Sequence, residues 1–322
     1  YGIAVISDSY NNKGADTSKE LPTVNLDNVE DLPGILGSDE GRAMMEIVYD
    51  VAPGAELFFK TGFLSESDFA EKVRELADNP QVDIIVDDLS YLKEPFYQDG
   101  LVAQAIDYAV NVKNKLYFSA AGNFGNKSYE SIFDPEANLS GPTEIHDFFP
   151  GDDSKYLQEL TLTPGLYVIV LQWDEDYYSL GGNSGAVTDL DMYLTDKDGN
   201  KEFGYNWNNF GADPIELIYF RVKQGVQSTT TYLMLEKFQG NNVPFKYVVF
   251  RSGNSGQFIA NPPVGASTVV GHNNAASNLA IGAVRWDNTP NWSTTVEGSQ
   301  FIPQSSSSLG GTEVSETPVQ QP

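Results

Sequence analysis

The start of the chain alternates apolar and amphipathic stretches in the order strand, helix, strand. Residues 2–6 (GIAVI) are apolar throughout, which is typical of a strand covered on both faces, as in a parallel sheet. After Ser38, the expected N-cap, apolar side chains recur at helical spacing: Ala43, Met44, Ile47, Val48 and Val51. Pro53 and Gly54 are expected to end this helix before a strand over residues 56–60. The pattern predicts an α/β fold.

Elements of the same kind continue along the chain. We predict helices over residues 67–79 (capped by Ser65 or Ser67) and 98–113, and buried strands over residues 82–86, from 116 into the stretch A-A-G-N-F-G, and over 278–286. Apolar strands that alternate with helices indicate a parallel sheet covered by helices.

The sequence pattern changes between residues 129 and 256, where short alternating strands, aromatic residues and turn signals replace the helices. Strands at regular spacing with turns between them predict an all-β sandwich. Its core is expected to contain six apolar side chains: Leu166, Val168, Val170, Met192, Leu194 and Val248. The pattern typical of the α/β part of the chain resumes after residue 256. We therefore predict that a β domain (129–256) is inserted into an α/β domain (1–128 and 257–322).

Composition narrows the function classes. The formal net charge of −26 disfavours nucleic acid as a partner, since the phosphate backbone demands clustered Lys and Arg. With no cysteine, the chain has no disulfide, thiolate zinc site or Cys nucleophile. No apolar run approaches ~20 residues, so no membrane span is predicted. We expect a processed, secreted, periplasmic or cell-surface protein, and predict no oligomeric state.

Several motifs resemble the subtilisin-like serine peptidases. Asp8 follows the first strand, Glu40-Gly41 opens a helix that leads into V-A-P-G-A-E-L, and a later strand ends in A-A-G-N-F-G. The resemblance implies a three-layer α/β domain in which Asp8 is a catalytic residue and Asn123 is the oxyanion-hole donor. It also implies that the segment Leu89–Leu92 (Leu89, Ser90, Tyr91 and Leu92) pairs its backbone with an extended peptide substrate. The inserted β domain resembles the jelly-roll accessory domains of secreted bacterial peptidases.

One residue departs from the family's motifs and determines the expected catalytic chemistry. Glu40 stands where the family has its catalytic His, as in the acid-active sedolisins, whose partner Asp lies four residues along the helix. Met44 occupies that place here, so the partner of Glu40 is expected to be Asp8. Two neighbouring carboxylates share a proton, which predicts activity under acid to mildly acid conditions. His272 is interpreted as a loop hydrogen-bonding group rather than a base.

The family's nucleophile lies in a G-T-S-x-A-x-P motif, which this sequence does not contain. The run S-S-S-S over 305–308 lacks the flanking Gly and Ala, and the tail from Gln304 is expected to be poorly ordered. We therefore interpret the chain as a fragment of a secreted serine endopeptidase whose nucleophile is absent, and we expect the isolated chain to be inactive.

No cofactor is required by this interpretation, and structural calcium is the open alternative. Clustered carboxylates suit hard cations, and the candidates are Asp189, Asp191, Asp196 and Asp198, although their spacing is not that of a helix–loop–helix calcium loop. A well-solvated acidic surface explains the same charges.

Two other functions remain open from the sequence. The His-to-Glu change is compatible with a catalytically inactive scaffold that binds peptides or cell-surface ligands. A carbohydrate- or matrix-binding role for the β domain would rest on aromatic side chains that are expected to be exposed: Trp173, Trp207 and Tyr177.

Overall fold

The computed structural model describes residues 1–14, 21, 25–32, 37–136, 139, 141–152, 155–182, 184–285 and 303–314. The chain divides into two units. The first unit comprises Tyr1–Glu94, Asp99–Gly122 and Val270–Gln304, and the second comprises Pro95–Gln98, Asn123–Val269 and Ser305–Pro322.

The helices are α1 (Glu40–Val51), α2 (Glu66–Asp78) and α3 (Leu101–Asp107). The strands, in chain order, are β1 (Gly2–Ser7), β2 (Val29–Glu30), β3 (Glu56–Thr61), β4 (Ile84–Asp87), β5 (Leu116–Ala120), β6 (Ser128–Ile132), β7 (Glu144–Ile145), β8 (Gln158–Leu162), β9 (Gly165–Trp173), β10 (Asp189–Thr195), β11 (Lys201–Tyr205), β12 (Ile215–Val222), β13 (Thr229–Gln239), β14 (Pro244–Ser252), β15 (Ile259–Asn261) and β16 (Leu279–Ile281). Among the described residues, no helix is long and apolar enough to cross a membrane.

A parallel sheet of six strands forms the centre of the first unit, in the order β16-β5-β4-β1-β3-β2. Both faces of β1 are buried. Ala4 and Ile6 pack with Phe69 of α2 and its neighbours, whereas Val5 packs on the opposite face with Met45 of α1. Helices on both faces explain why this strand is apolar at every position, and they confirm the predicted α/β class.

Helix boundaries follow local capping. Ser65 caps α2 as predicted, because its hydroxyl accepts a 3.1 Å hydrogen bond from the N–H of Asp68. The helix predicted over 98–113 is shorter: α3 begins after the extended Gly100, and Tyr108–Val112 continues as a π-helix in which Lys113 donates to the carbonyl of Tyr108.

The last strand of the sheet corrects one prediction. A buried strand over 278–286 was expected, but β16 has only three residues, and Leu279 and Ile281 are 52% and 56% exposed. In the described part of the chain β16 pairs with β5 alone, at the edge of the sheet, and Trp286 lies outside the described residues.

The second unit holds two antiparallel sheets, as predicted for a β-sandwich. One has the order β11-β10-β13-β8-β15, with β7 paired to β13, and the other has the order β12-β9-β14-β6. Ile169, Leu171, Met192 and Leu194 belong to the large core of this unit. A turn that contains Asp198 and Gly199 joins β10 and β11.

Segments that follow the predicted insertion (129–256) pack within this unit. Lys246, which is fully buried, donates from Nζ to the hydroxyls of Ser267 (2.7 Å) and Thr312 (2.6 Å) and forms a 2.8 Å ion pair with Glu130. The expectation of a poorly ordered tail from Gln304 is therefore wrong for residues 304–314. Residues 315–322 lie outside the described residues.

Candidate functional site

Asp8 joins the end of β1 to the start of α1. Its carboxylate accepts hydrogen bonds from the N–H of Ser38 (2.5 Å), the hydroxyl of Ser38 (2.7 Å) and the N–H of Glu40 (3.1 Å). Partial burial alone would raise the pKa of Asp8, but these bonds outweigh it and hold the pKa below its usual range. Asp8 is therefore an ionised group that binds the amino end of the helix.

The N-cap of α1 differs from the prediction. Ser38 was expected to cap the helix, but its hydroxyl donates to Asp8, and the N-cap is Asp39 in the left-handed region (φ 64°). The Asp39 carboxylate instead accepts the N–H groups of Asn12 (2.5 Å) and Lys13 (2.8 Å). The loop after β1 is thus tied to the helix start by two carboxylates.

Gly41 explains how closely the helix approaches the sheet. A Cβ atom at this position would lie 2.3 Å from the Phe59 ring and 2.9 Å from the Cβ of Ser7. Only glycine permits this approach, and it places the exposed side chain of Glu40 beside the carboxyl end of β1. Open α/β sheets bind ligands at this end of their strands.

A third carboxylate, Asp88, follows β4. Register pairs Ile6 with Asp87, so the next residues, Ser7 and Asp88, are neighbours. Burial raises the pKa of Asp88 to about 7, and the negative charges of Glu40, Asp87 and Asp8 add to the rise.

Asp87 faces the other side of the sheet and belongs to a buried ion network. The Nε2 atom of His272 lies 3.1 Å from Asp87, and its Nδ1 atom lies 2.8 Å from both carboxylate oxygens of Glu94. Burial alone would lower the pKa of His272, but Glu94 and Asp87 raise it to about 10. His272 is therefore a buried imidazolium, which agrees with its interpretation as a hydrogen-bonding group rather than a base.

The predicted substrate segment follows Asp88 in the first unit. Leu89 is buried, and its N–H donates to Asp87 over 3.2 Å. Ser90 is exposed, Leu92 is 36% exposed, and the hydroxyl of Tyr91 donates to the carbonyl of Gly62. The segment is anchored at Leu89 and Tyr91 and accessible at Ser90 and Leu92; its pairing with a substrate stays a prediction.

Asn123 lies in the second unit, where it is exposed at the turn that follows β5. It lines a cavity of about 380 Å³ together with Lys127, Arg251 and Ser305, among others. The turn is held from elsewhere in the chain, because Gly125 donates to the carbonyl of Ser306 over 3.0 Å. Its role as an oxyanion-hole donor stays a prediction.

The four calcium candidates do not lie at one place. Asp196 and Asp198 belong to the β10–β11 turn, where Asp196 accepts the N–H groups of Asp198 and Asn200 (both 2.9 Å). Asp189 and Asp191 are buried at the other end of β10. Within the described ranges, no three His, Asp or Glu side chains are disposed to hold a metal ion.

Glu216 is a buried carboxylate that the sequence analysis missed. It is 4% exposed, and burial together with the charges of Asp191 and Asp189 raises its pKa to about 8. Burial, then Asp189 and Glu236, raises the pKa of Asp191 to about 7. The available signal was a Glu that alternates with the apolar Ile218, Phe220 and Val222 on one face of β12.

Two of the three aromatic side chains expected to be exposed are buried. Trp173 is fully buried and Tyr177 is 4% exposed, whereas Trp207 is 70% exposed. Trp173 belongs to the sandwich core, so the basis for a carbohydrate-binding surface is reduced to one residue.

No protein-family model and no curated protein matches the sequence. Among solved structures, the Clostridium perfringens CspB protease is similar over 95% of this chain and 79% of its own, at 10% identity and a TM-score of 0.46. A psychrophilic protease is similar over 39% of this chain and 47% of its own (22% identity, TM-score 0.24). The lectin domain of lectinolysin is similar over 42% of this chain and 99% of its own, at 12% identity and a TM-score of 0.21. Two of these three neighbours are proteases, but with TM-scores below 0.5 the function must be argued from the residues of this chain.

Proposed function

We propose that this chain forms part of the catalytic domain of a secreted serine endopeptidase that acts on peptide or protein substrates. The observation that carries the proposal is the hydrogen bond from the N–H of Glu40 to Asp8, which joins a helix start to the carboxyl end of a parallel sheet. The nucleophilic serine would come from a segment that this sequence does not contain. Structural calcium remains a secondary proposal.

Glu40 is proposed as the base that accepts the hydroxyl proton of the nucleophile and returns it to the leaving amine. Its side chain is exposed and can reach a substrate. Asp8 would stay ionised and fix the backbone of Glu40 through its hydrogen bond. Because a carboxylate generally has a lower pKa than imidazole, it can still accept a proton under acid to mildly acid conditions, where the reaction is expected to be favoured.

Asn123 is proposed as the donor that stabilises the oxyanion of the tetrahedral intermediate. An exposed amide on a turn held by hydrogen bonds suits this role, because the donor must be fixed before charge develops. Removing such a donor costs about 3–4 kcal/mol of transition-state stabilisation.

The test uses the longer protein that carries both this chain and a G-T-S-x-A-x-P serine. Glu40→Gln should abolish peptide hydrolysis and retain the fold, whereas Glu71→Gln, an exposed change on α2, should retain activity. Full activity of Glu40→Gln would contradict the proposal. A fluorophosphonate should label the longer protein and leave the 322-residue chain unlabelled.

A catalytically inactive, peptide-binding scaffold is the second candidate. The observation in its favour is that His272, the one histidine of the first unit, is enclosed by Asp87 and Glu94 and is unavailable as a base. The same labelling and hydrolysis measurements separate the two candidates.

A further inference from the structure

Three carboxylates meet at the carboxyl end of the sheet in the first unit, but their surroundings differ. Asp8 accepts three hydrogen bonds from Ser38 and Glu40, so its negative charge is well supported. Glu40 is exposed to solvent. Asp88 differs from both residues, because its Oδ1 atom is buried without a hydrogen-bond partner among the described residues.

The position of Asp88 follows from the sheet. Side chains alternate between faces along a strand, and Val5 faces α1, so Ser7 faces α1 as well. Asp88 is the neighbour of Ser7 on the adjacent strand and shares this face. The side chain of Ser7 is fully buried and acts as a donor toward Asp88, which lowers the pKa of that carboxyl group. Asp88 therefore lies under the amino end of α1, beside the approach of Gly41 to Ser7.

The charged groups that act on Asp88 are all acidic: Glu40 at the start of α1, Asp8 at the end of β1 and its own neighbour Asp87. Arg42 is the cationic residue of α1. Its Nε atom forms an ion pair with Glu46 over 3.0 Å, and its guanidinium carbon lies 4.9 Å from the centroid of the Tyr10 ring. A hydrogen bond from the Ser7 side chain lowers the pKa of Asp88, but burial and the three negative neighbours outweigh it. The carboxyl group is therefore more stable in its neutral form than as a carboxylate.

We propose that Asp88 is a positioning residue for Glu40: it holds one proton under the helix start, so that Asp8 and Glu40 can both be ionised without a third charge beside them. This inference rests on the proposed function and deepens it, because it replaces Asp8 by Asp88 as the acid partner of Glu40. In the reaction Asp88 keeps its proton, while Glu40 accepts and returns the proton of the nucleophile. Ionisation of Asp88 would disturb Glu40, so activity should fall as pH rises through the Asp88 titration.

The first experiment is a ¹³C NMR titration of the aspartate carboxyl carbons in the 322-residue chain. One signal with a midpoint of about 7 should disappear in Asp88→Asn. Glu40→Gln should lower that midpoint by about half a pH unit, because one nearby negative charge is removed. Asp191 serves as an internal control that should not move, because burial, Asp189 and Glu236 raise its pKa to about 7 and Glu40 is not among the groups that act on it.

Two results would overturn the inference. One is an Asp88 midpoint among those of exposed aspartates, near ~4. The other is an Asp88 midpoint that Glu40→Gln leaves in place. The Glu40→Gln measurement requires no change at Asp88, so it stays decisive even where Asp88→Asn fails to fold.

The second experiment measures kcat/KM in the longer protein. The ratio of kcat/KM at pH 8 to that at pH 6 should rise by about tenfold in Asp88→Asn, which is permanently neutral. Asp50→Asn, an exposed change on α1 that removes the same charge, should leave the ratio as in wild type. An unchanged ratio in Asp88→Asn would overturn the inference. Absence of hydrolysis in wild type would overturn only the proposed function, because the NMR titration tests Asp88 without activity.

Discussion

The Nδ1 atom of His272 lies 2.8 Å from both carboxylate oxygens of Glu94, in the interior of the first unit. His272 is 1% exposed and Glu94 is 3% exposed, so neither charge is hydrated. A buried ion pair contributes little net stability compared with apolar residues, but loss of one partner leaves the other charge uncompensated. Replacement of one charged residue in this network is therefore expected to lower the stability of the first unit strongly.

Glu94→Gln should destabilise the first unit by about 3–5 kcal/mol, because His272 would keep only Asp87 as a charged partner. The measurement is urea denaturation at pH 6, with Glu71→Gln as the exposed Glu-to-Gln control. Equal unfolding midpoints for the two variants would show that the His272 network does not carry this energy.

The same network predicts a dependence on pH. The pKa of His272 is raised to about 10 in the fold, from 6.5 for the unperturbed group. A raised histidine pKa contributes stability that is fully present below about pH 6.5 and is lost as pH rises through 10. Wild type should therefore lose more free energy of unfolding between pH 7 and pH 10 than Glu94→Gln does. Parallel curves for both proteins would contradict this.

Glu216 should make the second unit less stable at high pH. Burial and two acidic neighbours raise its pKa from 4.5 to about 8, so its contribution is present below pH 4.5 and is lost as pH rises through 8. Glu216→Gln should stabilise the protein at pH 8 by a few kcal/mol and change little at pH 4.5. Glu202→Gln, an exposed change on β11, is the control. Thermal melts at both pH values test this, and a similar gain at pH 4.5 would contradict it.

Gly41→Ala should damage the candidate site through sterics alone. The added methyl group would lie 2.3 Å from the Phe59 ring and 2.9 Å from Ser7, and overpacking of this kind costs about 1–3 kcal/mol. Gly54→Ala is the matched control, since nothing lies within 4 Å of the added atom. Chemical denaturation should separate the two variants. An NMR shift of the Glu40 amide should report the displaced helix start in Gly41→Ala only.

Lys246→Met should loosen the hold of the second unit on residues 305–314. The variant removes the ion pair with Glu130 and the hydrogen bonds to Ser267 and Thr312. A hydrogen bond made by a charged group contributes about 1.5–3 kcal/mol. Hydrogen exchange should become faster in this segment, whereas Lys223→Met, an exposed change, should leave it unaffected. Unaltered exchange in Lys246→Met would mean that the segment is held by other contacts.

Local pattern predicted the strand–helix–strand order, the cap at Ser65 and the two antiparallel sheets, because each depends on neighbouring residues. Of the six side chains predicted for the sandwich core, only Met192 and Leu194 belong to the large core. Val168 and Val170 are buried, but the large core contains Ile169 and Leu171 instead. The strand β9 is apolar on both faces, so alternation gives no signal for which face points inward.

Only the residues of the candidate site that belong to local sequence motifs could be predicted. Asp8 and Glu40 were found because Asp8 follows a recognisable strand and Glu40 opens a recognisable helix. The partnership of His272 with Glu94 joins residues 178 positions apart, and the sequence carries no local sign of it. The N-cap at Asp39 was missed because the Ser38 hydroxyl is engaged by Asp8, a contact that only the folded chain creates.

The turn that carries Asn123 has a consequence for the order of folding. Phe124 donates to the hydroxyl of Ser308, a residue 184 positions later in the chain, and Gly125 donates to the carbonyl of Ser306. During synthesis the chain emerges from its amino end, so these bonds must wait until the whole β-sandwich has been made. Closing so long a loop is also entropically costly and slow. The turn proposed to hold the oxyanion donor is thus among the last parts of the second unit to be completed, well after the strands of its two sheets have become available for pairing.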